Sequence, residues 1–305
     1  MTTPILPNLL IAGSAKCATS SLHKYIAQHP EIFMSKKKEP RFITSQCTRL
    51  PLNGPKDHLV ESWYVKTYPE YCGLFTEAGE YKVIGESSAD TLYFHKQTIP
   101  VIKQYLGDPK IILVLRNPVK RAFSAYQHLV RDDRESLSFE EGLKQEQKRI
   151  DDNWELIYHY RAVSRYYEPV KAFLENFSNV KVILNEDLAR RPAETLKEVF
   201  TFLGVDPEFQ VQNLKIKHNV SGKPRSRWLH TFLFEGHPLR DFMRPVVRFF
   251  LPHKVRENVS LKIQQSNLEP IKIDPATANL LKGEFREEVL KLQDILKKDL
   301  SRWLD

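Results

Sequence analysis

Apolar residues gather along this chain in short, nearly unbroken runs separated by longer amphipathic stretches. Leu9-Leu10-Ile11-Ala12, Lys82–Ser88, Ile111-Ile112-Leu113-Val114-Leu115 and Val180–Leu184 read as strands, with Glu31–Ser35 as a short additional one. Runs of this length bounded by polar turns suit strands covered on both faces of a parallel sheet. Between them the period changes. Leu22, Tyr25 and Ile26 recur at helical spacing, and helices are predicted over 63–75, 99–106, 139–150, 158–177 and 192–203. Leu281, Phe285, Val289, Leu292 and Leu296 place an amphipathic helix in 275–305. Proline at position 30 ends the first helix near His29, and Gly204 closes the helix over Pro192–Leu203. This alternation predicts an α/β fold: a single domain over 1–305, with a central parallel sheet flanked by helices. The charged stretch 131–157 has no strand pattern and reads as an inserted helical lid.

Two strand ends carry candidate chemistry. After Gly13, the turn Ser14-Ala15-Lys16-Cys17-Ala18 leads into Thr19-Ser20-Ser21, with Thr19 and Ser20 expected at the helix N-cap. Strand, small-residue turn and helix N-terminus form a P-loop-like phosphate-binding unit, because orphan N–H groups and the helix dipole both favour an anion. An ordinary βα junction has the same outline. It is not a Walker A loop, which needs Gly-Lys-Ser/Thr contiguous at the helix start. The second end is Leu115-Arg116-Asn117-Pro118, where Arg116 stands at the carboxyl edge of a buried strand and Pro118 suits the first position of a helix carrying Ser124. Arg116 reads as an anion ligand or as a structural ion pair. Lys36-Lys37-Lys38-Glu39-Pro40-Arg41 reads as a solvated loop or as a carboxylate held ionised by bases at a site mouth. The basic loop 215–227, with Ser221, Gly222, Lys223 and Arg225, reads as a surface loop or a nucleotide clasp.

Composition narrows the field. The 305 residues are 41% hydrophobic, enough for one large core. No run of about 18 apolar residues occurs, so no transmembrane segment is predicted, and 237–256 reads as a basic helix packed on the domain in preference to a membrane-surface segment. Met1-Thr2-Thr3-Pro4 lacks a basic and apolar leader, and three scattered cysteines suit neither a disulfide framework nor a metal site; a cytoplasmic protein is expected. The net charge of +8 points to an anionic partner, but the bases are dispersed and no helix-turn-helix, RRM or zinc-finger pattern accompanies them, so nucleic acid is not expected.

With these residues in view, the chain resembles the sulfotransferases that use 3′-phosphoadenosine 5′-phosphosulfate (PAPS), most of all the branch of the heparan sulfate sulfotransferases and their bacterial relatives. Lys16-Cys17-Ala18-Thr19-Ser20-Ser21 is similar to that family's 5′-phosphosulfate loop, and Leu115–Ser124 to its 3′-phosphate motif. Lys38–Phe42, Trp63-Tyr64, Ser164-Arg165-Tyr166, Asn185–Leu188, Ser221–Arg225 and Asp299–Trp303 resemble further segments of that branch. Two departures stand out: Ala18 replaces a loop glycine, and Ser87 stands where the branch often has a lysine.

The resemblance implies PAPS as co-substrate and no metal. Lys16, Cys17, Ala18, Thr19, Ser20 and Ser21 would surround the phosphosulfate, and Arg116 and Ser124 the 3′-phosphate. Tyr166, Ser221, Gly222, Lys223 and Arg225 would complete the nucleotide site. Glu39 and Lys16 would be catalytic, with Glu39 as the base that deprotonates an acceptor hydroxyl or amine; His58, His95 and Glu86 are the substitute bases. The alternatives are a P-loop-like nucleotide kinase or NTPase and, behind it, a basic nucleic-acid-binding protein.

Overall fold

Five parallel strands form the central layer. The computed structural model describes residues 4–214, 223–224, 268–269 and 271–305. The strands are β1 (Leu9–Gly13), β2 (Ile32–Met34), β3 (Val83–Ser87), β4 (Lys110–Leu115) and β5 (Val180–Leu184), side by side in the order β2-β3-β1-β4-β5. All of β1 and β3 is buried, and so is β4 from Ile111 onward, as expected for a sheet with helices on both faces. The order matters for function. After β1 the chain leaves toward β2 and β3, whereas after β4 it leaves toward β5, so the carboxyl ends of β1 and β4 flank a topological switch point. Ligands of open α/β sheets settle in the crevice at such a point.

The helices are α1 (Thr19–Ile26), α2 (Phe42–Ser45), α3 (Asp57–Glu61), α4 (Tyr68–Gly73), α5 (His95–Leu106), α6 (Pro118–Arg131), α7 (Phe139–Asp151), α8 (Tyr167–Asn176), α9 (Asn185–Arg190), α10 (Pro192–Leu203) and α11 (Pro275–Leu296). Their ends follow local chemistry. Asn117 caps α6 by accepting the Lys120 N–H, with Pro118 in the first turn. Gly204 ends α10 in the left-handed region at φ 78°. Two short strands, β6 (Lys223–Pro224) and β7 (Leu268–Glu269), pair antiparallel. Among the described residues, no helix is long and apolar enough to cross a membrane.

Three expectations change. The helix over 63–75 is only α4, with Trp63 and Tyr64 in the connection before it, because Thr67 and Glu70 form a capping box that starts the helix at Tyr68. The helix over 158–177 is two 3₁₀ turns, Leu156–Tyr158 and Ala162–Ser164, followed by α8. There the backbone is held by side chains: Glu146 accepts the N–H groups of Arg161 and Ala162, and Arg121 donates to the carbonyls of His159 and Tyr160. The stretch expected as a lid is fastened to the body. Arg149 pairs with Glu135 at 2.7 Å, Arg134 bridges Asp57 and Glu155, and Phe139 and Leu143 enter the core. Residues 237–256 lie outside the described residues.

Candidate active site

Gly13 opens the loop after β1. Its φ is +154°, and a Cβ there would stand 2.6 Å from the Cβ of Leu92, so only glycine fits. Lys16 and Ala18 follow in the left-handed region, at φ 71° and 75°. Such turns fold successive N–H groups around one concavity. Hydrogen bonding makes the loop one-sided. Every carbonyl from Ser14 to Ala18 is engaged: Ser14 by the Cys17 N–H, Ala15 by Arg121 Nε (3.1 Å), Lys16 by Arg116 Nη1 (3.2 Å), Cys17 by Asn185 Nδ2 (3.3 Å), and Ala18 by the N–H groups of Ser21 and Leu22. The N–H groups of Ala15, Lys16, Ala18, Thr19 and Ser20, in contrast, donate to no acceptor among the described residues. The loop is therefore a set of donors with its acceptors tied away, which is what an anion requires.

The expected cap changes here. Ala18, not Thr19 or Ser20, is the N-cap of α1, and it makes no side-chain cap bond. A left-handed cap leaves the first N–H groups of the helix open, so Thr19 and Ser20 present donors instead of consuming them. Cys17 and Tyr166 support the loop from behind. Both are buried, and their Sγ and hydroxyl lie 3.6 Å apart. Arg116 stands at the end of β4, and Ser124, buried on α6, hydrogen-bonds no described group. Cations crowd the loop. Burial, helped by Arg131, Arg121 and Arg116 and opposed by Asp132, pushes the Lys16 ammonium down to about 7. An arriving phosphate reverses that pressure.

Glu39 lies beyond β2 and is tied to the end of β3, the neighbour of β1. Its N–H donates to the Ser87 carbonyl (2.9 Å), and its Oε2 accepts the Ala89 N–H (2.8 Å). Lys38 Nζ bonds its Oε1, and Arg41 Nε lies 3.8 Å from Oε2. Burial alone would raise the carboxyl, but Lys38, Arg41 and the Ala89 N–H together hold it below the ordinary glutamate value. Glu39 is thus a carboxylate at neutral pH. Arg41 is the hub of this region: it donates to the Tyr64 hydroxyl (2.8 Å) and Glu155 Oε1 (3.0 Å), and its Nε lies 3.7 Å from Asp90 Oδ2.

The substitute bases fall elsewhere. Glu86 is 1% exposed and takes the Ser88 hydroxyl at 2.8 Å; burial, with Glu39 and Asp90 nearby, pushes it up to about 8. Its surroundings thus favour the protonated form, and its hydrogen-bond partners are Ser88 and Tyr71. His95 lines a groove between α5 and α8 with Glu168 and Lys171, and His58 lies exposed on α3. Ser221, Gly222 and Arg225 lie outside the described residues, and of Lys223 only its strand pairing is described. Arg41, Arg121 and Asn185 were not picked out as site residues. Arg121 and Asn185 stand inside motifs already noted, so their positions gave the available signal. Arg41 stands in the Lys36–Arg41 run, read there only as one of the bases around Glu39.

Comparison with known proteins agrees with this geometry. A sulfotransferase family model matches residues 7–209, which includes both phosphate motifs and Glu39. The crystal structure of a sulfotransferase from Alicyclobacillus acidocaldarius superposes with a TM-score of 0.78 at 31% identity, covering 99% of this chain and 100% of that one. The membrane-associated sulfotransferase kil1 of Dictyostelium discoideum is 34% identical over 122 residues, 40% of this chain and 22% of its own length. Carbohydrate sulfotransferase 15 of Mus musculus is 26% identical over 269 residues, 72% of this chain and 47% of its own. The chain thus spans between about a fifth and a half of these two relatives. On the extent of the model match and the agreement over the whole solved structure, the chain belongs to the sulfotransferase family.

Proposed function

We propose that this protein transfers a sulfuryl group from PAPS to a hydroxyl or amine of an acceptor. The observation that carries the reading is the one-sided loop after β1, with open N–H groups at Ala15, Lys16, Ala18, Thr19 and Ser20 among the described residues. It suits the phosphosulfate end of the donor. Arg116 and the unengaged Ser124 hydroxyl, across the switch point, suit the 3′-phosphate that separates this donor from ATP. In the transfer, the acceptor oxygen or nitrogen attacks sulfur in line as the bond to the bridging phosphate oxygen breaks. Charge grows on that oxygen, where Lys16 and the loop donors stabilise it. Glu39 takes the acceptor proton, and adenosine 3′,5′-bisphosphate leaves.

The reading is tested with PAPS labelled with ³⁵S in the sulfuryl group, offered with a panel of glycans, lipids and small hydroxyl and amine compounds. The expected result is label on at least one acceptor together with stoichiometric bisphosphate. Label released only as free sulfate, or no turnover on any member, would contradict it.

A further inference from the structure

Arg121 is buried completely, yet no carboxylate pairs with it among the described residues. Its Nε donates to the Ala15 carbonyl in the phosphate loop (3.1 Å), and its Nη1 to the carbonyls of His159 and Tyr160 (3.3 Å each). Its Nη2 has no hydrogen-bond partner among the described residues. The nearby carboxylate of Glu146 is engaged by the N–H groups of Arg161 and Ala162 and by the Arg161 side chain. A guanidinium bonded only to carbonyls keeps its full charge in a poorly solvated place, which is costly unless an anion comes near. Part of its field falls on the loop, since Arg121 is one of the cations that depress Lys16.

We infer that Arg121 is a positioning residue for the donor: it turns the Ala15 carbonyl away from the loop's concavity and supplies the buried positive charge that the donor's 5′-phosphate neutralises on binding. This rests on the PAPS reading and adds a residue that touches no part of the donor. A plain strap between the loop and the 159–160 turn would hold the fold in the same way with or without ligand. The inferred role ties Arg121 to one end of the donor only.

Calorimetry on the full chain separates the two, with adenosine 3′,5′-bisphosphate and adenosine 3′-phosphate as probes. The second lacks the phosphate that the loop receives. Arg121→Gln is expected to weaken the bisphosphate roughly 10- to 100-fold, the scale of a lost charge-assisted contact, and the 3′-phosphate less than about threefold. Arg121→Lys, which keeps the charge and loses the fork, recovers part of the loss. Equal weakening of both ligands, or of neither, overturns the inference and leaves the donor reading standing. A wild-type protein that binds both ligands equally overturns the donor reading and this inference with it. Should Arg121→Gln fail to fold, Arg121→Lys carries the same comparison. In the wild-type protein the Arg121 side-chain ¹⁵N resonances should move with the bisphosphate and stay with the 3′-phosphate; no selective movement also overturns it.

Discussion

The two halves of the proposed site, for donor and for acceptor, are made of different material. On the donor side the working groups are backbone N–H donors, fixed by glycine, by left-handed residues, and by arginine and asparagine side chains that hold the carbonyls back. On the side we propose for the acceptor the group is a side chain, Glu39, held by charges: Lys38, Arg41, and behind them Glu86, Asp90 and Glu155. Backbone donors do not titrate and hardly reorganise, which suits an anion whose leaving oxygen gains charge during the transfer. A carboxylate that takes a proton needs an adjustable environment. In the proposed reading the division of labour is therefore physical: the loop binds the donor, and the charged cluster serves proton transfer.

The strongest way to break this division is Glu39→Gln, which keeps shape and removes the proton acceptor. Single-turnover transfer is expected to fall on the order of 10²–10⁴, with bisphosphate affinity nearly unchanged. A near-normal rate would remove Glu39 from the chemistry. Next is Lys16→Ala, expected to slow transfer by about 10²–10³ and to weaken the bisphosphate as well, because in the proposed reading the lysine meets the phosphosulfate before and during reaction. An unchanged affinity would confine Lys16 to the transition state.

Arg41→Ala tests the acceptor half through stability. Asp90 and Glu155 are nearly inaccessible, so removing their shared cation should cost on the order of 3–5 kcal/mol in denaturant unfolding. A loss below about 1 kcal/mol would show that the cluster is compensated elsewhere.

The pH profile sharpens the comparison further. Lys16 is pushed to about 7 in the free protein, and in the proposed role it attracts the phosphosulfate only when protonated. Donor kcat/KM should therefore be full below about pH 7 and fall up to tenfold per unit above it. Glu39 is held below the ordinary value of about 4.3 and stays ionised from about pH 5 upward, so no rise is expected between about pH 5 and about pH 7. A rate that climbs toward about 8 would instead follow Glu86. The smallest effect belongs to the loop: Ala18→Gly relieves a left-handed alanine and should stabilise the fold by up to about 1 kcal/mol.

What the sequence revealed follows the same division. The loop is local: strand, turn, lysine and helix start lie within fifteen residues, Leu9–His23, and the second anchor repeats the form from Lys110 to Ser124. Periodicity and turn chemistry are enough to place such units. The carbonyl ties were hidden, because Asn185 reaches Cys17 across 168 positions and Arg121 reaches Ala15 across 106. Arg41 likewise meets Glu155 across 114 positions, and nothing in the local pattern marks that pairing. The helix expected over 158–177 failed for the same reason. Its early residues have helical spacing, but Arg121 and Glu146 take the backbone groups that a helix would use.

Calorimetry of the wild-type protein with adenosine 3′,5′-bisphosphate and with AMP tests the central claim most directly, since it needs no acceptor. If the loop after β1 and the Arg116–Ser124 pair together form a site for two phosphates, the bisphosphate should bind about 10- to 100-fold more tightly than AMP. Arg116→Ala should then close most of that gap. Equal affinities for the two ligands in the wild-type protein would contradict the account.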